Sequence, residues 1–354
     1  RVGEKKMSAA EENSVPEVSL IQGRIEEVSL GEPTVYGQMA MFPLLDREES
    51  AIDYLTLDES IANGYAYVTE IDEGGSIPEL KFKNSSEKRI FLMEGEELVG
   101  AKQNRTLNIS LLAPAEKEIT IPVTCVESGR WDYDSPRFKT SNRVHYSRGR
   151  REKMASVSES MNFCNRPEAN QFEVWDEISS KAERMKSRSR TSAMGDIFEN
   201  YRGRVSDYVK AFTAIENQAG MLITVGDDIV GLDLFDNKET LKKLMPKLVR
   251  SFALDAIELN TRKKYQPRIE DAEDLLKKSA TANTSIHPGV GDGNNLRLQS
   301  EEVIGGALVL DYQVIHLSVF RNDDLSESRN YRPGRESRVR RASHRRSHRR
   351  REGL

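Results

Sequence analysis

The feature that most constrains the fold is a run of short, strand-like segments across residues 18–126. The segments are rich in β-branched and aromatic side chains, and Gly, Asn or Pro residues separate one from the next. Clear examples are residues 18–21, 65–69, 89–93 and 119–123. One short helix is predicted among them, at residues 57–63, because a Gly follows it directly. The pattern predicts a β-rich N-terminal half.

Helical spacing becomes prominent after residue 168, and residues 168–321 are predicted to form a second half. Helices are predicted at residues 168–186, 192–214 and 237–259. On the first of them, Phe172 and Trp175 begin an apolar stripe. Two β-hairpins are predicted at residues 221–235 and 306–320, and they are alike either through duplication or by chance. The predicted fold class is α+β, a β-rich N-terminal half packed with a C-terminal half of helices and β-hairpins.

Three segments have too few apolar residues to build a core of their own. Residues 1–17 are charged and without periodicity, and residues 322–354 are rich in Arg, Ser and His, so both are predicted to be disordered. Residues 127–167 are rich in Arg, Ser and Asn, and they are predicted to form a polar surface loop or linker.

Charge is distributed unevenly along the chain, whose net charge is −4. Residues 329–354 contain eleven arginines against Glu336 and Glu352, a net charge of +9, which leaves −13 on residues 1–328. Such an acidic body repels the phosphate backbone, so nucleic acid is expected to bind only through the C-terminal tail, if at all.

No apolar run approaches the roughly 20 residues that a membrane-spanning helix needs, so no membrane partner is expected. Residues 1–17 contain no apolar stretch, which argues against a secretory signal there, and Met7 is an alternative start of the chain. The two cysteines, Cys125 and Cys164, are too few for a disulfide framework. A reducing, cytoplasmic location is therefore expected.

The polar residues that a structural role explains least well lie together between residues 94 and 131. The acidic residues predicted to be catalytic are Glu94, Glu96, Glu97 and Glu127. The residues predicted to bind a ligand are Lys102, Gln103, Asn104, Arg105, Asn108, Arg130 and Trp131. Two neighbouring strands or a strand and a turn would bring these acids and bases side by side.

This combination of side chains suits a polar, anionic ligand. Arg105 and Arg130 can each hold a phosphate or carboxylate through two parallel hydrogen bonds, and Trp131 can stack on a base or sugar. The carboxylates can act as general bases or bind Mg²⁺, which prefers oxygen ligands. The alternative is a surface network of salt bridges on a β-rich scaffold.

Other chemical signals in the sequence are weaker. The spacing from Cys125 to Arg130 is one residue shorter than a phosphatase loop, and Glu127 would repel phosphate, so we reject that interpretation and expect Cys125 to be a small buried residue. The histidines are isolated and no zinc-ligand spacing occurs, so His316 is expected to be an ordinary core or face residue.

The same segment resembles a known domain family. The strings FLMEGEELVGAKQNRTLNISLLAP (91–114) and IPVTCVESGRW (121–131) are similar to the ARG and Rhodanese-Phosphatase-superfamily-associated Protein domain. Further similarity lies at residues 156–161, 174–178, 230–258 and 315–320, so the resemblance covers residues 18–321. The family is largely uncharacterised. Its name implies association with ADP-ribosylglycohydrolase-type and rhodanese- or phosphatase-type proteins, and so with ADP-ribose-like metabolites and NAD metabolism.

Two functions follow as expectations. In the first, the domain binds or processes an ADP-ribose-like or other phosphorylated nucleotide-sugar metabolite, with Mg²⁺ as the candidate cofactor. In the second, it is a non-catalytic module that senses such a ligand or serves as a scaffold for a partner enzyme of ADP-ribose metabolism. Carboxylates that converge unpaired in a pocket would favour the first, and carboxylates that each pair with a base would favour the second.

Overall fold

The structure is a computed structural model that describes residues 14–48, 50–72, 78–261, 263 and 265–322. Its helices are α1 (Ser14–Glu27), α2 (Leu57–Ala62), α3 (Ser147–Cys164), α4 (Gln171–Arg184), α5 (Met194–Asn200), α6 (Arg202–Ala211), α7 (Lys238–Leu259) and α8 (Ile269–Ala280). Its strands are β1 (Ser29–Leu30), β2 (Thr34–Tyr36), β3 (Met39–Leu45), β4 (Tyr54–Thr56), β5 (Ala66–Thr69), β6 (Glu79–Asn84), β7 (Arg89–Leu92), β8 (Glu96–Gly100), β9 (Arg105–Leu107), β10 (Leu111–Ala113), β11 (Glu118–Cys125), β12 (Phe138–Val144), β13 (Gln218–Val225), β14 (Asp228–Phe235), β15 (Asn283–Pro288), β16 (Asn294–Gln299), β17 (Val303–Leu310) and β18 (Gln313–Arg321). The predicted α+β class is confirmed.

The larger sheet has nine strands in the order β1-β3-β13-β14-β18-β17-β16-β15, with β2 also paired to β3. Successive residues of a strand point to opposite faces, so Met41 belongs to one core and Phe42 to another. On the first face Met221 packs in the same core as Phe252 of α7. On the second, Leu222 shares a core with residues of α1 and α8. The sheet is therefore covered on both faces.

A smaller closed barrel has the strand order β11-β6-β5-β12-β8-β9, and a three-stranded sheet, β10-β7-β4, accompanies it. The interior of the barrel contains a third apolar core, which includes Phe82, Leu98 and Leu107. β9 pairs with β11 in a register that places Arg105 opposite Cys125. The barrel thereby brings two segments about twenty residues apart in sequence to the same end.

The predicted hairpins are present as β13–β14 and β17–β18, and β14 pairs with β18 so that the two hairpins are neighbours in the large sheet. The two predicted halves share the large sheet. β3, from the first half, pairs along its length with β13, from the second. The described residues form one compact unit.

Two further expectations are corrected. The predicted loop at residues 127–167 contains β12 and α3, because Met154, Val157 and Met161 are buried on one face of α3 and its basic residues are buried beside acids. The segment predicted to be disordered, 1–17, includes the start of α1 at Ser14. Residues 1–13 and 323–354, which were also predicted to be disordered, lie outside the described residues.

The helices of the second half lie close to where they were predicted, with the 192–214 segment divided into α5 and α6. Pro246 lies inside α7. One member of the predicted stripe on α4 is not core, because Phe172 is 74% exposed. No helix in the described part of the chain combines the length and the apolar character needed to cross a membrane.

Candidate functional site

Arg105 lies at the end of the barrel, where β9 begins, and it has no exposed surface. Its Nη1 donates a hydrogen bond to Gln103 Oε1 at 3.1 Å, whereas its Nε and Nη2 have no hydrogen-bond partner in the described structure. Burial lowers the pKa of Arg105 because the charged form loses its hydration. A buried guanidinium with two unused donor atoms is costly unless another group satisfies them.

Cys125 faces Arg105 across the β9–β11 ladder and is fully buried. Its Sγ donates to Gln103 Oε1 at 2.9 Å, so the thiol and Arg105 share one acceptor. Burial raises the pKa of the Cys125 thiol, and the charge of Arg105 opposes that change only in part. The expected small buried cysteine is thus present, but its neighbours are polar.

Glu127, Arg130 and Asn104 form a tightly bonded cluster beside Arg105. Arg130 Nη2 donates to Glu127 Oε2 at 2.7 Å and to Asn104 Oδ1 at 3.1 Å. Glu127 Oε2 also accepts from the Asn104 backbone N–H at 3.1 Å. Burial acts to raise the pKa of Glu127, but the bonds from Arg130 and the backbone outweigh it, so the pKa is lowered. Glu127 is therefore a stable anion that positions the loop.

Aromatic rings cover the positive charges at this end of the barrel. Lys102 Nζ lies 5.3 Å from the centre of the Trp131 ring and 5.1 Å from that of Tyr133. The guanidinium carbon of Arg105 lies 5.8 Å from the Trp131 ring centre. These are cation–π distances. Trp131 is 47% exposed, so it borders both the buried cations and the solvent.

Glu70 completes the cluster from the end of β5, and the sequence reasoning missed it. It is 8% exposed; its Oε1 accepts from the Lys102 backbone N–H at 3.3 Å, and its Oε2 has no hydrogen-bond partner in the described structure. Its charge raises the pKa of Arg105, against the effect of burial. Its only sequence signal is an acid directly after the predicted strand at residues 65–69.

We refer to this cluster as the Arg105 site. It consists of Glu70, Lys102, Gln103, Asn104, Arg105, Cys125, Glu127, Arg130 and Trp131. The turn from β8 to β9 needs Gly100, whose φ of +126° is unfavourable for other residues and whose Cα lies too close to Ser135 for a Cβ. The site combines unused donors, an unused carboxylate oxygen and an exposed aromatic ring, which suits an anionic ligand that carries hydroxyl groups.

The comparison with protein families agrees with the resemblance in this segment. The ARG and Rhodanese-Phosphatase-superfamily-associated Protein domain, ARPP-1, matches residues 27–320. The chain belongs to this family. The ARPP-1 domain thus includes the Arg105 site, the barrel and almost all of the large sheet. No curated protein and no solved structure matches the chain.

Two predicted catalytic acids of the ARPP-1 domain lie away from the Arg105 cluster, each beside a base from a different helix. Glu94 Oε2 is 3.5 Å from Arg150 Nη2, and its Oε1, which has no hydrogen-bond partner in the described structure, is 3.9 Å from Lys153 Nζ. Glu96 Oε1 forms a 2.7 Å ion pair with Lys247 of α7. Burial raises the pKa of Glu96, and Lys247 offsets this only in part.

Glu97 and Asn108 also form hydrogen bonds outside the cluster. Glu97 Oε2 accepts from Arg143 Nε at 2.7 Å. Asn108 accepts from the Thr124 hydroxyl at 2.6 Å and donates to the Pro167 carbonyl at 2.9 Å. The structure therefore brings seven of the eleven predicted residues to one place, and it distributes Glu94, Glu96, Glu97 and Asn108 elsewhere.

A second polar cluster lies wholly inside the protein, where α3 meets both β-structures. Arg150 makes a two-bond contact with Asp233, at 3.0 and 2.6 Å, and donates to Ser318 at 3.0 Å. His316 lies 3.3 Å from Asp233 through Nε2 and 2.8 Å from the Ser110 hydroxyl through Nδ1. The Ser110, His316 and Asp233 side chains have the order of a hydrolase triad, but all three are buried. We therefore assign them a structural role.

No group of three or more His, Cys, Asp or Glu side chains suited to hold a metal ion occurs among the residues that the structure describes. The Arg105 site contains two carboxylates, Glu70 and Glu127, and Glu127 is engaged by Arg130. Mg²⁺ commonly binds one or two carboxylates together with the phosphates of a substrate. Glu70, with its unused oxygen, is the residue of this site best suited to that role.

Proposed function

We propose that this ARPP-1 domain binds a small phosphorylated metabolite of the ADP-ribose type at the Arg105 site. The observation that carries the proposal is the fully buried Arg105, whose Nε and Nη2 lack hydrogen-bond partners among the residues that the structure describes. A phosphate oxygen pair would satisfy both donors through the two-bond geometry that guanidinium groups favour. The charge of Lys102, close to the same Trp131 ring, would strengthen the attraction.

The remaining side chains of the site fit the other parts of such a ligand. The unused Oε2 of Glu70 can accept a hydrogen bond from a sugar hydroxyl. Trp131 can stack on a flat base, because about half of its surface is exposed beside the cations. Gln103 accepts from Arg105, while Asn104 and Glu127 contact each other and Arg130. These three residues would position the site without contacting the ligand.

The ion pairs of the predicted catalytic acids favour binding over hydrolysis as the primary function. Glu94, Glu96, Glu97 and Glu127 lie beside bases on separate elements, so they do not form one set of unpaired carboxylates. A ligand-sensing module that serves a partner enzyme of ADP-ribose metabolism is consistent with this arrangement. We also propose a cytoplasmic location, in line with two cysteines that are both free.

Tryptophan fluorescence offers a direct test, because the chain contains only Trp131 and Trp175. In a Trp175→Phe variant, Trp131 is the sole emitter, and ADP-ribose is expected to change its emission saturably. We expect Arg105→Gln to weaken the affinity by about 10- to 100-fold, the worth of one or two charge-assisted hydrogen bonds. Isothermal titration with and without Mg²⁺ measures the affinity, and chromatography of the incubated ligand reports any turnover.

The matched control is Arg166→Gln, because Arg166 is an exposed arginine whose nearest acid, Glu168, is 3.9 Å away. It should bind ADP-ribose like the unaltered protein. Glu70→Gln should weaken the binding of ADP-ribose more than that of pyrophosphate, because pyrophosphate has no sugar hydroxyl. The proposal is wrong if ADP-ribose, AMP and pyrophosphate all have dissociation constants above about 1 mM. It is also wrong if folded Arg105→Gln binds these ligands as tightly as Arg166→Gln does.

A further inference from the structure

A surface cavity of about 510 Å³ lies between β12, α5, α6 and α7, well outside the Arg105 cluster. Its lining residues are Asn142, Arg143, Phe198, Glu199, Arg202, Gly203, Val205, Ser206, Asp207, Lys210 and Arg250. We refer to it as the α6 cavity. Its volume is within the range of sites that hold small molecules. The polar lining is unusual for such sites and requires a polar ligand.

Arg250, on α7, is the residue whose position is hardest to explain without a ligand. Its Nε is buried and has no hydrogen-bond partner in the described structure, and it makes no ion pair with a described carboxylate. Burial lowers the pKa of Arg250, and the neighbouring positive charge of Arg143 lowers it further. Two guanidinium groups are thus held close together at a cost in free energy.

The acids near Arg250 are already engaged by Arg143. Arg143 Nε donates to Glu97 at 2.7 Å and its Nη1 to Glu199 at 2.8 Å. The other acid of the lining, Asp207, lies 3.8 Å from Lys210. Four bases therefore line the cavity against two acids, within a body whose overall charge is negative. The charge of Glu199 also acts on Arg250, but it does not outweigh burial and the charge of Arg143, so the pKa of Arg250 stays lowered.

We propose that the α6 cavity is a second anion site, which binds a phosphorylated small molecule through Arg250 and Arg202. An anion there would supply the missing acceptor for Arg250 Nε and would screen the repulsion between Arg250 and Arg143. Arg202 is exposed at the start of α6 and can close over the ligand from the solvent side. This site does not depend on the function proposed for the Arg105 site.

Isothermal titration of the full chain with pyrophosphate tests this site. We expect Arg250→Gln and Arg202→Gln each to weaken one component of pyrophosphate binding by about tenfold, the worth of one charge-assisted hydrogen bond. Arg204→Gln is the matched control, because Arg204 is exposed on the same helix as Arg202 and does not line the cavity. The arginine-rich tail is present in all variants, so any pyrophosphate that it binds contributes equally to each measurement.

Two outcomes would overturn the proposal. The first is unchanged pyrophosphate affinity in folded Arg250→Gln or, if that variant does not fold by circular dichroism, in Arg202→Gln. The second is an equal loss in Arg204→Gln, which would indicate diffuse electrostatic attraction instead of a site. Repeating the Arg250→Gln comparison in an Arg105→Gln background separates the two sites, because the loss should persist there even if the Arg105 site binds nothing.

Discussion

Replacing Asp233 with Asn should destabilise the protein strongly, because it removes one partner of a fully buried ion pair. Arg150 and Asp233 both have no exposed side-chain surface, and their shortest contact is 2.6 Å. After the substitution, Glu94 at 3.5 Å is the remaining close carboxylate to Arg150 within the described ranges of the chain. Breaking a buried pair in this way costs about 3–5 kcal/mol, since the remaining charge is buried without compensation.

An exposed pair of the same length provides the control. Lys278 Nζ lies 2.6 Å from Asp274, but the two side chains are 32% and 54% exposed. Asp274→Asn should therefore cost under about 1 kcal/mol, because water screens the charges and replaces the lost contact. Urea titration followed by circular dichroism gives both free energies of unfolding. The closest contacts have equal length, but the Arg150 pair is buried and has a second bond, so the Asp233 substitution should cost more.

The pH dependence of the Asp233→Asn effect has a definite sign. Burial acts to raise the pKa of Asp233, but Arg150 and His316 outweigh it, so the pKa lies well below its ordinary value. The stabilisation is therefore complete above the unfolded-state pKa and is lost as the pH falls below it. The reasoning is refuted if Asp233→Asn costs no more than Asp274→Asn near neutral pH, or if its cost grows as the solution becomes acidic.

Three further predictions concern buried groups. Burial lowers the pKa of Lys153 to about 8. The free energy of unfolding should therefore rise between about pH 8 and 10.5, by at most about 1.4 kcal/mol per pH unit, because only the unfolded chain keeps the proton there. In urea titrations, Lys153→Met should abolish that rise. Iodoacetamide should label the exposed Cys164 and spare the buried Cys125 until the chain unfolds, which mass spectrometry can measure. Gly149→Ala should destabilise the protein, because its Cβ would lie 2.3 Å from a buried histidine ring. Gly23 is also helical but has open space around the position of a Cβ, so Gly23→Ala should raise the midpoint of thermal unfolding. Equal effects of the two substitutions would contradict the packing at α3.

The strands and hairpins were predictable because their signals are local. Alternation and turn residues mark β13 and β14 without reference to the rest of the chain, and the α+β class follows from such segments. The pairing of β3 with β13 was not predictable in the same way, because no local pattern specifies a partner about 180 residues away. The two predicted halves are therefore a single unit.

The segment at residues 127–167 was wrongly predicted to be a loop because its polar composition is typical of solvent-exposed chain. Arg150 and Lys153 are normally surface residues, yet both are fully buried in α3. What allows their burial is Asp233 and Glu94, which come from distant parts of the chain. A helix stabilised by long-range ion pairs has little signature in its own sequence.

The candidate site was predicted in part for a reason that strand geometry explains. Lys102 precedes β9 and Arg105 begins it, while Glu127 and Trp131 follow β11, and the pairing of these strands brings both groups to one end of the barrel. Glu96 and Glu97 are consecutive residues of β8 that point to opposite faces, and neither joins the cluster. Glu96 accordingly meets a base of α7, and Glu97 meets one of β12.

Unused hydrogen-bonding capacity then separates the binding candidates from the structural pairs. Asp233 contacts Arg150 through both carboxylate oxygens, so this pair has little hydrogen-bonding capacity left for a ligand. Arg105 and Arg250 are different, because each keeps a buried Nε without an acceptor and neither forms an ion pair with a carboxylate in the described part of the chain. Keeping the fully buried guanidinium of Arg105 unpaired costs several kcal/mol, which a bound anion would offset, whereas Arg250 is only partly buried and its cost is smaller. Unpartnered buried donor atoms therefore mark both sites, and each site can be tested independently of the other.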